Sequence, residues 1–403
     1  MTSTAIRGLL VAALAAGPLL AASPALAAPK CDGKKATIVG TRRNDFLKGT
    51  AKRDIIVGRG GGDFIKGRGG NDIVCAGPGD DYVVAAGGHD QVFVAGGKDF
   101  VNGGPGRDQI FGGSGDDFVR GRSGDDQMFS GDGADIAAGD DGNDLVDGGK
   151  GDDSVYGGVG DDEVRAGAGN LDLVYGNVGN DTLVGGAGQE YLLGQDGDDV
   201  IDGGTGAFDI VSYFFAGNPN GVEVNLATGS ATGEGTDTIT NVEGAEGSQV
   251  SDQLFGSDGN NFFYPLAGDD LVEAGPGTDM VSFVRATAGV TVDLGLGVGT
   301  ATGEGSDALT SIENVQGSSN GDTITGNLVQ NGFLAGGGND TLNGGAEDDY
   351  LDGGDGTDTG DGGLPGLAGD VCVNIETMTN CGPIGPPPPP VPVPPVPELL
   401  PRP

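Results

Sequence analysis

Apolar and polar positions alternate over very short stretches of this chain, and one nine-residue pattern returns many times. From Gly40 to Arg165 the pattern repeats fourteen times without a slip. Each copy opens on a glycine-rich segment, places an aspartate at its sixth position and, in nearly every copy, a large apolar residue at its eighth. The alternation after the aspartate suits a very short half-buried strand, and the glycines suit a tight turn that needs positive φ. The pattern therefore predicts one strand and one turn in every copy.

Two copies close a coil of eighteen residues, so the chain is expected to wind into two parallel sheets packed back to back. Turns eighteen residues apart would then lie above one another at the strand spacing of about 4.8 Å. A helix is excluded because glycine costs about 1 kcal/mol per residue in a helix interior. The eighth-position residues predicted to stack as a ladder between the sheets are Leu47, Ile56, Ile65, Val74, Val83, Val92, Val101, Ile110, Val119, Met128, Ala137, Val146, Val155 and Val164.

The nonapeptide phase breaks near Leu171 and later gives way to a longer unit that occurs twice. The segment TGEGTDTITNVE at Thr232–Glu243 returns as TGEGSDALTSIE at Thr302–Glu313, seventy residues further on. Residues 222–226 and 290–294 alternate in the manner of half-buried strands. We divide the chain into a signal peptide (1–27), an N-terminal cap segment (28–39), the nonapeptide roll (40–211), two seventy-residue solenoid-like units (212–334), C-terminal nonapeptides with a cap (335–382) and a Pro-rich extended tail (383–403).

Charge and targeting narrow the possible partners and the location. The 403 residues carry a formal net charge of −40, which favours cations as partners and argues against nucleic acid and anionic membranes.

The N-terminal segment is typical of a cleaved signal peptide: it has Arg7, an apolar run from residue 8 to 22 and an A-x-A motif that ends at Ala27. A membrane anchor fits less well because Pro18 and Pro24 interrupt an already short run. We therefore expect a secreted, extracellular protein with no membrane span.

Four cysteines lie at the two ends of the glycine-rich region. Export permits disulfides, and four cysteines allow three pairings. We interpret Cys31–Cys75 and Cys372–Cys381 as disulfides that fasten each end. A zinc site is the alternative, although the chain has no C-x-x-C motif and no histidine near these cysteines.

The sixth-position aspartates carry the candidate chemistry. In an eighteen-residue coil Asp117 would lie directly over Asp99 and under Asp135, so that like charges stack closely. Bound calcium would neutralise the stacked carboxylates, because it accepts six to eight oxygens from carboxylates and main-chain carbonyls. Magnesium demands stricter octahedral geometry. The first two copies have Arg43 and Lys52 where glycine is expected, so we interpret them as caps. The predicted calcium ligands are Asp63, Asp72, Asp81, Asp90, Asp99, Asp108, Asp117, Asp126, Asp135, Asp144, Asp153, Asp162, Asp181, Asp199, Asp340, Asp349 and Asp358.

Two copies, GGSGDDFVR (Gly112–Arg120) and GGVGDDEVR (Gly157–Arg165), resemble the RTX or hemolysin-type calcium-binding repeat G-G-x-G-x-D-x-U-x at every position. The resemblance extends from about Gly40 to Asp361. It implies a right-handed parallel β-roll, all-β in class, with multiple Ca²⁺ ions between successive turns. It also implies that the sixth-position aspartates and the carbonyls of the glycine turns bind them. The chain differs from many proteins with this repeat in two ways. It has an N-terminal signal peptide, whereas many of them are exported by a C-terminal signal, and we recognise no separate effector domain in it.

No catalytic motif is evident in the sequence. The chain lacks the Walker loop, H-E-x-x-H and the EF-hand loop, and its single histidine, His89, falls at a variable turn position expected at the surface. We interpret the chain as a secreted calcium-binding protein with a structural or adhesive role and no enzymatic activity. Its further partner would be a cell-surface or matrix polysaccharide or protein. The alternatives are a secreted enzyme acting on polysaccharide and an RTX-type toxin, the latter disfavoured because no long apolar pore-forming segment is present.

Overall fold

A computed structural model describes residues 31–206, 208–364 and 369–382, which wind as a parallel β-solenoid. Successive coils are held in register eighteen residues apart: Val119 is paired with Val101 on one side and with Ala137 on the other. The predicted parallel all-β roll is therefore confirmed. The predicted signal peptide (1–27) and Pro-rich tail (383–403) lie outside the described residues.

Two long sheets form the walls of the solenoid, and we call them sheet 1 and sheet 2. The strands of sheet 1 are Phe46–Lys48, Phe64–Gly69, Tyr82–Gly87, Phe100–Pro105, Phe118–Ser123, Ile136–Asp141, Ser154–Val159, Asp172–Val178, Glu190–Asp196, Ile210–Ser212, Gly244–Glu246, Phe262–Tyr264, Met280–Ser282, Asn314–Gln316, Gly332–Leu334, Tyr350–Asp352 and Val371–Val373.

Sheet 2 runs along the opposite wall. Its strands are Ile38–Val39, Ile55–Val57, Ile73–Cys75, Gln91–Phe93, Gln109–Ser114, Gln127–Asp132, Leu145–Lys150, Glu163–Ala168, Thr182–Gly186, Val200–Gly204, Glu223–Asn225, Ser230–Thr232, Thr236–Thr240, Gln253–Phe255, Leu271–Glu273, Thr291–Asp293, Val298–Thr302, Ser306–Thr310, Thr323–Thr325, Thr341–Asn343, Thr359–Asp361 and Thr377–Thr379. A short 3₁₀ turn, Cys31–Gly33, precedes the first strand, and Gly337–Gly338 pairs with Asp355–Gly356 outside both sheets.

The core is the predicted ladder of eighth-position side chains. Thirteen of those fourteen residues are essentially inaccessible, and Leu47 in the first copy keeps 8 % exposure. The ladder continues beyond the nonapeptide block through residues such as Val211, Phe263 and Leu351. Each strand places one apolar side chain between the sheets, because alternate residues of a strand point to opposite faces.

The two seventy-residue units depart from a uniform solenoid. In the first unit Ser230–Thr232 pairs antiparallel with both Glu223–Asn225 and Thr236–Thr240. In the second, Val298–Thr302 pairs antiparallel with Thr291–Asp293 and Ser306–Thr310. In each unit one strand thus runs antiparallel to both of its neighbours, and these antiparallel strands belong to sheet 2. The half-buried strands expected at 222–226 and 290–294 are present, but within a reversal that the sequence did not predict.

Both expected disulfides are formed. Cys31 is joined to Cys75 with their Cα atoms 6.0 Å apart, and Cys372 is joined to Cys381 with 5.9 Å between theirs. The first fastens the segment before the first strand to sheet 2, and the second fastens the last strand of sheet 1. Among the described residues no helix is long and apolar enough to cross a membrane.

Candidate metal centres in the glycine turns

In the nonapeptide block each sixth-position aspartate immediately precedes a strand and turns its carboxylate into the turn before it. Asp117 is typical and is only 3 % exposed. Its Oδ1 accepts a hydrogen bond of 2.8 Å from the backbone N–H of Asp99, one coil before. Its own N–H donates to Oδ1 of Asp135 at 2.7 Å, one coil after. Within the nonapeptide block, one oxygen of each such carboxylate therefore takes part in a ladder along the edge of the roll.

The second carboxylate oxygen is the unusual atom. Oδ2 of Asp117 is buried and has no hydrogen-bond partner within the described part of the chain. A Cβ built on Gly112 would lie 2.9 Å from this oxygen and would overlap the carbonyl oxygen of Ser130. Carboxylate and carbonyl oxygens thus share a small space beside a glycine. A buried anionic oxygen without a partner is costly, so this space calls for a cation.

The second residue of the turn differs between Asp117, whose Oδ2 is bare, and Asp54, whose Oδ2 is hydrogen-bonded. Gly113 has φ +108°, and no hydrogen bond from its N–H to Oδ2 of Asp117 is formed. Thr50 does not adopt positive φ, and its N–H and hydroxyl donate to Oδ2 of Asp54 at 2.7 and 2.8 Å. Glycine favours the first conformation because it alone adopts positive φ without a steric cost.

All seventeen aspartates predicted as calcium ligands have a buried Oδ2 without a hydrogen-bond partner among the described residues. Sequence reasoning missed five further carboxylates in the same state, which lie just after the phase break near Leu171, within the long units, or beyond the last counted nonapeptide. These are Asp172, Glu190, Asp270, Asp279 and Asp370. A glycine at the second turn position, as at Gly275 and Gly363, is the sequence signal that could have found the last two, and both glycines adopt positive φ.

Six other turns satisfy their sixth residue internally. In each, the second residue donates its backbone N–H to the sixth-position side chain, as in the two N-terminal copies interpreted as caps. The pairs are Thr41 with Asp45, Thr50 with Asp54, Ser248 with Asp252, Ser257 with Asn261, Ser318 with Asp322 and Asn327 with Asn331. Two of these six turns carry a neutral asparagine at the ladder position. The Nδ2 groups of Asn261 and Asn331 donate to the carbonyls of Glu243 and Glu313 at 3.0 and 2.9 Å.

The electrostatics of a bare and of a hydrogen-bonded aspartate differ, as Asp117 and Asp54 show. Burial raises the pKa of Asp117 to about 7, and the carboxylates of Asp99 and Asp135 add to the rise. Burial likewise raises the pKa of Asp126 and of Asp153 to about 8. At Asp54 burial also acts to raise the pKa, but hydrogen bonds from Thr50 and Thr37 outweigh it and leave the pKa below its usual value. The glycine turns thus hold carboxylates whose ionised form lacks a counter-charge.

The donor set fits a hard cation that accepts carbonyl oxygens. Among the described residues no three Asp, Glu, His or Cys side chains converge on one point, so side chains alone cannot enclose a metal ion. Calcium takes main-chain carbonyls together with carboxylates, and the glycine turns offer both kinds of oxygen. His89 is exposed, and its Nδ1 accepts a hydrogen bond from the N–H of Arg107, which agrees with a surface position.

Comparison with protein families gives one result. The family model of the RTX calcium-binding nonapeptide repeat (4 copies) matches residues 39–74, 76–110, 102–137, 138–170, 172–207, 246–281 and 334–364. These segments cover more than half of the chain. A comparison with curated proteins finds no match.

Proposed function

The chain belongs to the RTX calcium-binding nonapeptide repeat family, and from this premise we propose that calcium bound in its glycine turns holds the roll together outside the cell, in a structural or adhesive role. The observation that supports the proposal is the row of buried, unpartnered Oδ2 atoms on both edges of the roll. Within the chain as described, these atoms have no other neutralising partner.

Particular residues would hold the calcium. The seventeen predicted aspartates, together with Asp172, Glu190, Asp270, Asp279 and Asp370, present the bare carboxylate oxygen, and first-position carbonyls such as that of Ser130 lie beside it. Bound calcium would supply positive charge between stacked carboxylates. The chain's own contribution is to align these oxygens through the Oδ1 ladder and to keep the space open with glycine. The six internally satisfied turns are excluded from the proposal.

Several features favour an extracellular setting. Two disulfides are typical of oxidising compartments, and extracellular calcium modules work at dissociation constants of about 10⁻⁴–10⁻³ M. The proposal assigns the chain no catalytic role, since the buried aspartates share one repeated environment and none is set apart as an acid or a nucleophile. A cell-surface or matrix polysaccharide or protein would be its further partner.

Calcium titration of the metal-free protein, followed by circular dichroism, tests the proposal. We expect the β signal to rise cooperatively between micromolar and millimolar calcium, and magnesium at equal concentration to be much less effective. A protein that is equally folded in excess chelator would contradict the structural role of calcium. Binding of calcium without any change in folding would restrict the chain to a calcium-buffering role.

A further inference from the structure

Although the whole chain is strongly acidic, its first coils are rich in basic residues. Ten of the chain's 20 Lys and Arg residues lie between Lys34 and Arg68, together with only three acidic residues. Beyond Arg68 the chain has eight basic and 56 acidic residues. The Debye length at physiological ionic strength is about 8 Å, which is less than two strand spacings. The first coils therefore present a positive surface to solvent despite the net charge of −40.

Three of these cations project from the outer face of sheet 1. Lys48 and Lys66 are exposed and directly paired in register on adjacent strands, and Arg68 is exposed two residues after Lys66. Like charges directly opposite one another on a sheet are unfavourable. Among the described residues, none of the salt bridges includes Lys48, Lys66 or Arg68.

The same face has different charges further along the roll. There, Arg120 pairs with Asp140. The cations at the N-terminal end are thus the ones on this face that lack an anionic partner within the chain as described.

An aromatic ridge runs beside these cations. Phe46, Phe64, Tyr82, Phe100 and Phe118 stack in succession, with ring centroids 4.5–5.2 Å apart and planes within 6° of parallel. The first three are 68 %, 37 % and 41 % exposed. Because each ring covers the face of its neighbour, the ridge presents ring edges to solvent. Ring edges carry the positive end of the aromatic quadrupole and attract oxygen atoms.

This part of sheet 1 is also uncovered. Further along the same outer face Tyr156, Tyr175 and Tyr191 are buried, and Phe214 and Phe215 pack against the cluster to which they belong. In contrast, no other described segment covers Phe46, which is the most exposed ring of the ridge.

We propose that the outer face of sheet 1 from Phe46 to Phe118 binds a linear anionic polysaccharide that runs along the roll axis. This rests on the proposed adhesive function and names the partner and the surface. The ridge and the cations repeat at the strand spacing, so an extended polymer can meet the same contacts in successive coils. Carboxylate or phosphate groups would pair with Lys48, Lys66 and Arg68, and sugar hydroxyls would contact the ring edges. Nucleic-acid bases fit less well because they need open ring faces for stacking.

The test measures binding of the calcium-loaded full chain to hyaluronate, a carboxylate-bearing glycan, by titration calorimetry. We expect saturable binding that weakens with salt, and no binding to neutral dextran. The combined variant Lys48→Gln, Lys66→Gln and Arg68→Gln should bind hyaluronate about tenfold more weakly, because each exposed ion pair contributes a small factor. The matched control replaces three cations of other coils, Lys98, Arg107 and Lys150, by Gln and should bind as the wild type does.

Circular dichroism of both variants against calcium separates this proposal from the calcium proposal. Unchanged calcium-dependent folding with equal hyaluronate affinity in both variants would overturn the surface assignment and leave the calcium role standing. Equal weakening in both variants would also overturn it, because net charge would then be the cause. Tighter binding to single-stranded DNA or to phosphatidylserine vesicles than to hyaluronate would assign the face to a different partner and refute the proposal.

Discussion

At the scale of single residues, the two oxygens of one carboxylate have separate roles. Oδ1 of Asp117 accepts the N–H of Asp99, which any oxygen acceptor at that place can do. Asn261 and Asn331 hold equivalent positions with a neutral amide: the Oδ1 of each accepts an N–H of its own turn, and the backbone N–H of each still donates to the aspartate one coil later. The charge matters at Oδ2, which has no donor in the glycine turns.

Replacing Asp117 by asparagine should therefore separate the charge from the ladder. We expect Asp117→Asn to fold at high calcium but to lose one site. That loss costs about 1.4 kcal/mol at a calcium concentration ten times the dissociation constant. Asp54→Asn is the control, since Thr50 and Thr37 already satisfy Asp54. Calcium titrations by circular dichroism compare the two, and an equal shift of both midpoints would contradict the assignment of bare oxygens as calcium ligands.

The raised pKa values predict how pH acts on the metal-free roll. Burial raises the pKa of Asp99 to about 6 and that of Asp153 to about 8, compared with about 4 in an unfolded chain. Protonation of these groups thus stabilises the fold. This stability is fully present below about pH 4 and is lost as the pH rises through about 6 to 8. In chelator the melting temperature should be higher at pH 5 than at pH 8, and a rise with pH would show that the stacked carboxylates are not buried in the absence of metal.

At the scale of elements, internally satisfied turns occur in pairs, and each pair builds one whole coil. Thr41 and Thr50 close the first coil, Ser248 and Ser257 another, and Ser318 and Asn327 a third. These coils keep their carboxylates or amides hydrogen-bonded without a cation. The roll therefore contains sections with different needs for calcium.

Hydrogen exchange at falling calcium concentration should resolve these sections. We expect residues 314–334 to lose protection at lower calcium than residues 112–135. Ser318→Ala should reduce that difference, because the Ser318 hydroxyl donates to Oδ1 of Asp322 at 3.0 Å and the loss of a hydrogen bond to a charged group costs about 1.5–3 kcal/mol. Ser319→Ala is the matched control, since Ser319 is the exposed neighbour in the same turn. Simultaneous loss of protection in both sections would show that one calcium-dependent unit spans them.

Sequence pattern predicted the uniform coils far better than the irregular ones. A strict phase fixes which residue points inward, so the ladder from Leu47 to Val164 follows directly from periodicity. Three-residue strands such as Ser230–Thr232 show the same apolar–polar alternation whether they run parallel or antiparallel. The reversals in the long units therefore could not be predicted from that alternation. Asp370 was missed because it lies twelve residues after Asp358, whereas Asp270 and Asp279 keep the spacing of nine but lie within the long units, where no nonapeptide was counted.

At the scale of the whole molecule, the roll is a nearly one-dimensional array in which each coil contacts only its neighbours. Such arrays unravel from their ends, where a coil lacks one neighbour. Here the N-terminal end combines the Cys31–Cys75 disulfide with a coil whose turns are internally satisfied, and the other end has Cys372–Cys381. Calcium-dependent coils thus fill the interior of the nonapeptide block, and the N-terminal end is held by bonds that need no metal.

The two disulfides should differ in their effect on stability, because they close loops of different length. The cysteines of the first are 44 residues apart and those of the second 9. On the chain-entropy account the first contributes about 4.0 kcal/mol and the second about 2.6 kcal/mol. Cys31→Ser with Cys75→Ser should therefore lower the free energy of unfolding in saturating calcium by about 1.4 kcal/mol more than Cys372→Ser with Cys381→Ser does. Denaturant unfolding of the two double variants measures the difference.

Since the first disulfide also fastens the segment before the first strand of sheet 2, its loss should reduce hydrogen-exchange protection in residues 31–57 first. A larger loss from the C-terminal pair would mean that the roll depends most on its last coil.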